Sequence, residues 1–231
     1  MLFDLRGKRR RTVQITYAGL AFLMAVGLVG AGVGSGTSGG LFDLFGGGGG
    51  SSNANKTIDK RIKTAERALR VNPKDQVALA SLVRSHYTLA SADTDRNTGK
   101  FGKDGKKELV KTSSAWERYI ATDPKKPDES LAGLMVVAYS EVGLNQPANA
   151  AGAAEIVATA RDDAQSWLQL AQYATLAHQT RKADLAGKKA VERAPKNQKK
   201  LVKDTIKQIK SGAAASAAGG AGAGTTPAPG G

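Results

Sequence analysis

Residues 167–195 read WLQLAQYATLAHQTRKADLAGKKAVERAP. Trp167, Leu170, Ala171 and Ala174 fall at i, i+3, i+4 and i+7, which puts them on one face of a single helix. Further on, Ala183 and Ala190 offer a second helix a face small enough to lie close against the first. Pro195 then stops that second helix, because proline has no amide donor and restricts the residue before it. The stretch predicts two helices packed together and a hard stop.

The same stop occurs at three places: Asn72-Pro73-Lys74, Asp123-Pro124-Lys125 and Ala194-Pro195-Lys196. Ala65, Ala68 and Leu69 precede Pro73 at packing positions of the second helix of a pair, and Leu79, Leu82 and Val83 follow it where Trp167 and its companions would fall. Trp116 and Ile120 precede Pro124, and Leu131, Leu134 and Met135 follow it with one residue inserted. A turn without proline is placed at Arg161-Asp162, ahead of Trp167. The expected order is a leading helix, three helix pairs and a closing helix.

The pattern Trp167, Leu170, Ala171, Ala183, Ala190, Pro195 resembles the tetratricopeptide repeat (TPR), a helix–turn–helix unit of 34 residues. The resemblance covers residues 56–212 and implies a short all-α solenoid. Departures are specific: Tyr119 stands where the family has a small residue, Gly187 where it has a large aromatic, and Arg61 where it has a small one. From Pro73 to Pro124 the spacing exceeds one repeat by 17 residues.

Composition agrees with an all-α chain. Val, Ile, Thr and Phe never alternate over a strand-length window, and Ala-rich segments of helical period fill the middle of the 231 residues. With no cysteine, disulfides and thiolate metal sites are excluded. Of the formal charge of +14, +4 falls on residues 1–12 and +11 on residues 56–212.

Arg6, Lys8, Arg9, Arg10 and Arg11 form a basic stub, and residues 13–33, VQITYAGLAFLMAVGLVGAGV, carry no charge. At a helical rise this run spans about 31 Å, the hydrocarbon thickness of a bilayer. A transmembrane helix over 13–34 is therefore expected, with the stub cytoplasmic and the rest of the chain outside. A cleaved signal peptide is the main competing reading, since Val29-Gly30-Ala31 offers small residues for cleavage, although the apolar run is long for one; a buried helix of a soluble protein is the third. Residues 35–55 read as a flexible Gly-rich linker, interrupted by Leu41, Phe42, Leu44 and Phe45. That interruption fits either a segment resting at the lipid interface or a docking motif for a neighbouring membrane protein. Residues 213–231 lack bulky apolar side chains and read as a disordered tail.

No pattern for chemistry stands out. Asp93-Thr-Asp95-Arg-Asn97-Thr-Gly99 begins like a calcium loop, but Thr98 replaces the required glycine and Arg96, Lys100 and Lys103 repel a cation. A loop inserted between two helices, turning at Gly99, Gly102 and Gly105, is the better account. His86 and His178 are far apart, His86 near a packing position and His178 at a helix end. No nucleophile elbow, phosphate loop or metal spacing is present, so neither catalysis nor a cofactor is expected. Nucleic acid is not the expected partner, since no base-reading motif appears. Lys196, Lys199, Lys200, Lys203, Lys207 and Lys210 surround an apolar stripe of Leu201, Val202, Thr205, Ile206 and Ile209. This basic C-terminal helix reads as a solubilising cap, or alternatively as a binder of anionic lipid or envelope polymer.

The TPR resemblance implies a peptide or protein ligand held in a groove lined by the first helix of each pair. Carried over by register, the groove residues are Arg84, Tyr87 and Thr88; Val136, Tyr139 and Ser140; and Gln165, Leu168, Gln172 and Thr175. Tyr87 and Tyr139 take the same position in successive pairs and are the expected aromatic anchors. Ala80, Ala132 and Leu168 stand where the family's carboxylate clamp needs Lys and Asn, so that mode is not implied. The whole layout resembles bacterial single-span TPR proteins, among them ancillary subunits of the Sec translocon and assembly factors of envelope complexes.

Overall fold

The computed structural model describes residues 51–220. The described residues hold eight α-helices and no strand, so the all-α expectation is met. They are α1 Ser51–Val71, α2 Gln76–Ala92, α3 Lys103–Ile120, α4 Glu129–Tyr139, α5 Pro147–Arg161, α6 Ala164–Leu176, α7 Thr180–Arg193 and α8 Lys199–Gly220. All but the first three residues of α1 belong to a compact unit that begins at Ala54. Residues 13–34, where the membrane span is expected, lie outside the described residues. Among those described, no helix is long and apolar enough to cross a membrane.

Three helix starts, those of α2, α4 and α6, are set by aspartates. Asp75 opens α2 by accepting from Val77 N at 2.9 Å and Ala78 N at 3.1 Å. Asp128 opens α4, accepting from Ser130 N at 2.8 Å and Leu131 N at 3.1 Å. Asp163 opens α6 through Ser166 N at 2.8 Å. Each side chain satisfies amides that no helical carbonyl can reach, and its charge lies at the positive end of the helix dipole. The ends follow the prolines: α1, α3 and α7 stop at Val71, Ile120 and Arg193, just short of Pro73, Pro124 and Pro195. Without a proline, α5 ends on Asp162, whose φ of 50° turns the chain left-handed.

Packing runs in sequence order. The helices α2 and α3, α4 and α5, and α6 and α7 lie against one another; α5 also packs on α6, α4 on both α2 and α3, and α8 on α6 and α7. Leu79, Val83, Leu109, Leu131, Met135 and Leu170 make the centre of one core, joined by Trp116 and Trp167. Ala150, Ala151, Ala153, Ala154, Val157 and Ala158 are buried around α5, which is small enough to sit between α4 and α6. The departures from the repeat pattern have local partners. Tyr119 stacks on Trp116 with ring centroids 5.5 Å apart, and its hydroxyl accepts from Asp128 N at 3.1 Å, across the α3–α4 turn. Beside Gly187 lies Ile206 of α8, whose Cδ1 is 3.4 Å from where a Cβ would stand. The closing helix thus fills the space an aromatic at 187 would take.

Residues 93–102 form the inserted loop. Thr94 and Phe101 bridge in antiparallel fashion, and Phe101 N donates to Val142 O at 3.0 Å. Asp95 accepts from Asn97 N, Thr98 N and the Thr98 hydroxyl, so its carboxylate organises the turn itself. At the other end of the domain, α8 continues to Gly220, past the limit of 212 and into the stretch expected to be disordered. Alanine has the highest helix propensity, and the Ala-rich run after Gly212 extends the helix until a glycine pair.

Gly143 is sterically required. A Cβ at Gly143 would collide with the backbone carbonyl of Ala138, which already accepts from Leu144 N at 2.8 Å. Gly143→Ala is expected to cost about 1–3 kcal/mol, because backbone cannot swing aside as a side chain can. Urea unfolding should show the midpoint fall; an unchanged midpoint would show that the α4–α5 turn tolerates a side chain.

Candidate functional site

The expected groove residues lie on α2, α4 and α6, and the structure separates them into two groups. Val136 and Tyr139 are each only 2% exposed, and Ser140 and Leu168 are buried as well. The Tyr139 hydroxyl is 2.9 Å from Ser113 Oγ on α3, and Ser140 donates to the Val137 carbonyl at 2.7 Å. The expectation that these four line an open groove is corrected. Helix α4 is enclosed by α2, α3 and α5, and Ala132, Ala138 and the alanines of α5 are too small to hold those neighbours away.

On α2, Tyr87 turns edge-on to Phe101 with centroids 6.2 Å apart, and burial pushes its phenol up to about 12. It is a packing residue of the inserted loop more than an exposed anchor. Thr88 donates to the Arg84 carbonyl at 2.8 Å, and Arg84 pairs with Asp128 at 2.6 Å, at the start of α4. Arg84 and Tyr87 therefore tie α2 to its neighbours.

On α6 the expected residues stay accessible. Gln165 is exposed, Gln172 and Thr175 are half-buried, and Thr175 donates to the Ala171 carbonyl at 2.6 Å. Register reasoning missed Gln169, one turn from Gln165 and half-buried. Gln165, Gln169, Gln172 and Leu176 follow i, i+4, i+7 and i+11, a single stripe along the helix opposite buried Trp167, Ala171 and Ala174. Leu176 is 45% exposed at its end. None of the three amides is hydrogen-bonded to another described residue. The i, i+4 spacing of the glutamines was the signal that could have found them.

The turn ahead of α6 is knitted by Asp162. Its Oδ1 accepts from Trp167 Nε1 at 2.9 Å and its Oδ2 pairs with Arg193 at 2.7 Å, while Lys189 Nζ sits 4.1 Å from the Trp167 ring centroid. The Arg193 hydrogen bond, then that from Trp167, holds the Asp162 carboxyl below the usual range. Hydrogen bonds from Lys210 and Lys107 do the same for Asp184 and Asp104, and the Thr98 N–H does so for Asp95. For Glu108, burial acts upward, but hydrogen bonds from Lys111 and from His86, the latter at 2.7 Å, outweigh it. Groups whose folded values are depressed stabilise the fold above the ordinary carboxylate range, near pH 4, and that contribution is lost as pH falls through the folded values. The thermal midpoint should accordingly be level from neutral pH to about pH 5 and fall below about pH 4. Asp162→Asn combined with Asp184→Asn should make the fall shallower. A midpoint constant down to about pH 3 would contradict this.

Among the described residues no group of three His, Asp or Glu is placed to hold a metal ion. His178 sits in the turn between α6 and α7 with φ 57°, its N–H donating to Thr175 O at 3.0 Å. Comparison of the chain with protein-family models, with curated sequences and with solved structures gives no match.

Proposed function

We propose that this chain is a protein-interaction scaffold of TPR-like helix pairs, held at a membrane by residues 13–33, that binds an extended peptide or protein segment along α6. The observation supporting it is the stripe Gln165–Gln169–Gln172–Leu176. In a chain with 34 basic residues, the water-facing sides of α1 and α8 are by contrast largely charged. The row of amides without protein partners is uncharged and ends in an exposed leucine. It suits a ligand whose backbone supplies donors and acceptors and whose side chain covers Leu176. The serial packing from α2 to α8 is that expected of stacked helix pairs, in which each pair contacts only its neighbours.

The basic stub at Arg6–Arg11 favours a cytoplasmic amino terminus, with α1–α8 on the extracytoplasmic face of a bacterial membrane. Protease added to intact spheroplasts would then remove the helical domain, and full protection would refute the placement. The binding reading is tested with full-length protein purified in mild detergent. Gln165→Lys, Gln169→Lys and Gln172→Lys together should eliminate a co-purifying protein while leaving the thermal midpoint unchanged. Retention of the same protein by this variant would move the site away from α6. The rival reading, an anionic lipid or polymer bound through α8, would use Lys199, Lys200 and Lys203, since Lys210 is engaged by Asp184 at 2.6 Å and Lys207 lies 3.9 Å from Asp204.

A further inference from the structure

Cations on most helices of this domain meet carboxylates. Lys182 pairs with Glu155, Arg193 with Asp162, Lys210 with Asp184, Arg161 with Glu129, Arg84 with Asp128, and Lys111 with Glu108. Helix α1 is different. It carries Lys56, Lys60, Arg61, Lys63, Arg67 and Arg70, all exposed, and none is in an ion pair among the described residues.

Their placement is also ordered. At about 100° per residue, Lys56, Lys60, Lys63, Arg67 and Arg70 project within roughly 80° of one another. Ala65 and Leu69 are buried on the opposite side of the helix, with Ile62 and Ala68 packed beside them. The cations thus form a straight row about 21 Å long, facing directly away from the core. At its C-terminal end stands Val71, 88% exposed, and in the first turn of α2 Val77 is 81% exposed; these are the two most exposed large apolar side chains among the described residues.

We infer that the outer face of α1 lies on a lipid bilayer bearing anionic headgroups, the basic row contacting phosphates and Val71 and Val77 entering the interface. Charge complementarity alone would also admit a soluble polyanion. The exposed valines next in the chain favour lipid, because a bilayer offers charge and an apolar layer side by side. Position in the chain favours it too. This inference rests on the membrane-anchor reading: Ser51 follows Val33 closely enough that even fully extended backbone spans only about 60 Å. A tether that short keeps α1 at high effective concentration beside the bilayer. The consequence is orientation, since docking α1 would fix which side of α2–α7 faces a partner.

The test uses the full chain with vesicles of phosphatidylcholine alone and vesicles that also contain phosphatidylglycerol. Amine-reactive labelling of Lys56, Lys60 and Lys63, read by mass spectrometry, should slow about fivefold or more in the anionic vesicles and recover in high salt. Lys200 and Lys203 on α8 serve as internal controls and should label equally in both. Equal rates at Lys56, Lys60 and Lys63 in the two vesicle types would overturn the inference. So would slowing of the same size at Lys200 and Lys203, or slowing produced by soluble polyphosphate and not by phosphatidylglycerol. Flotation with neutral vesicles tests the anchor separately. Should the chain fail to float there, the α1 face is judged by flotation with anionic vesicles, which Lys60→Gln, Lys63→Gln and Arg67→Gln together should abolish. Unchanged flotation of that variant would overturn the inference in the same way.

Discussion

Trp167→Ala is expected to destabilise the helical domain by about 3–5 kcal/mol, a large part of the stability of a domain this size. The indole is 6% exposed and buried between α6 and its neighbours. Its removal leaves a cavity and withdraws the donor at 2.9 Å from Asp162 and the ring beneath Lys189. Three features that hold the α5–α6 turn to the end of α7 therefore weaken together. Trp167→Phe separates the contributions, because it keeps most of the bulk and loses the hydrogen bond; about 1 kcal/mol is expected for that bond. Urea unfolding followed through Trp116 measures both variants. An unaltered midpoint for Trp167→Ala would mean that the packing built around this residue is wrong.

Tyr139→Ala should be equally damaging, at about 3–5 kcal/mol, and for a reason that reverses its expected role. Tyr139 is among the largest fully buried side chains, and its hydroxyl shares a hydrogen bond with Ser113, which also bonds Glu117 at 2.9 Å. Deleting the ring opens the centre of the α3–α4 contact. Tyr139→Phe should cost only about 1 kcal/mol, since Ser113 keeps a partner in Glu117. Circular dichroism across a thermal ramp separates these outcomes. A Tyr139→Ala variant as stable as the parent would restore Tyr139 to an open surface. If instead it unfolds, loss of partner binding by that variant says nothing about a groove.

The two tyrosines show where reading the sequence stops. Helix existence and order were legible, because each proline marks a break and each apolar row has helical period. The depth of a groove was not. Register tells which way a residue leaves its own helix, whereas exposure depends on how closely the next helix approaches. Around α4 that approach is set by Ala132, Ala138 and the alanines of α5, whose small size closes the space over Val136 and Tyr139. Other signals were present and unread. Asp75, Asp128 and Asp163 each stand at the first residue before α2, α4 and α6, a cap pattern as regular as the prolines. The glutamine stripe of α6 was only half seen, because Gln169 falls between the inherited groove positions. On α1 the row of cations was visible in the sequence, but that none of them meets a carboxylate needed the structure.

The central claim, that the uncharged face of α6 holds a protein segment, is tested most directly by a photo-crosslinking side chain placed in turn at Gln165, Gln169 and Gln172 of the full chain in its native membrane. Leu185, 60% exposed on α7, provides the control position. The account predicts one discrete adduct of the same mass from all three α6 positions and none from Leu185. Absence of an adduct from α6, or the same adducts in equal yield from Leu185, would contradict it.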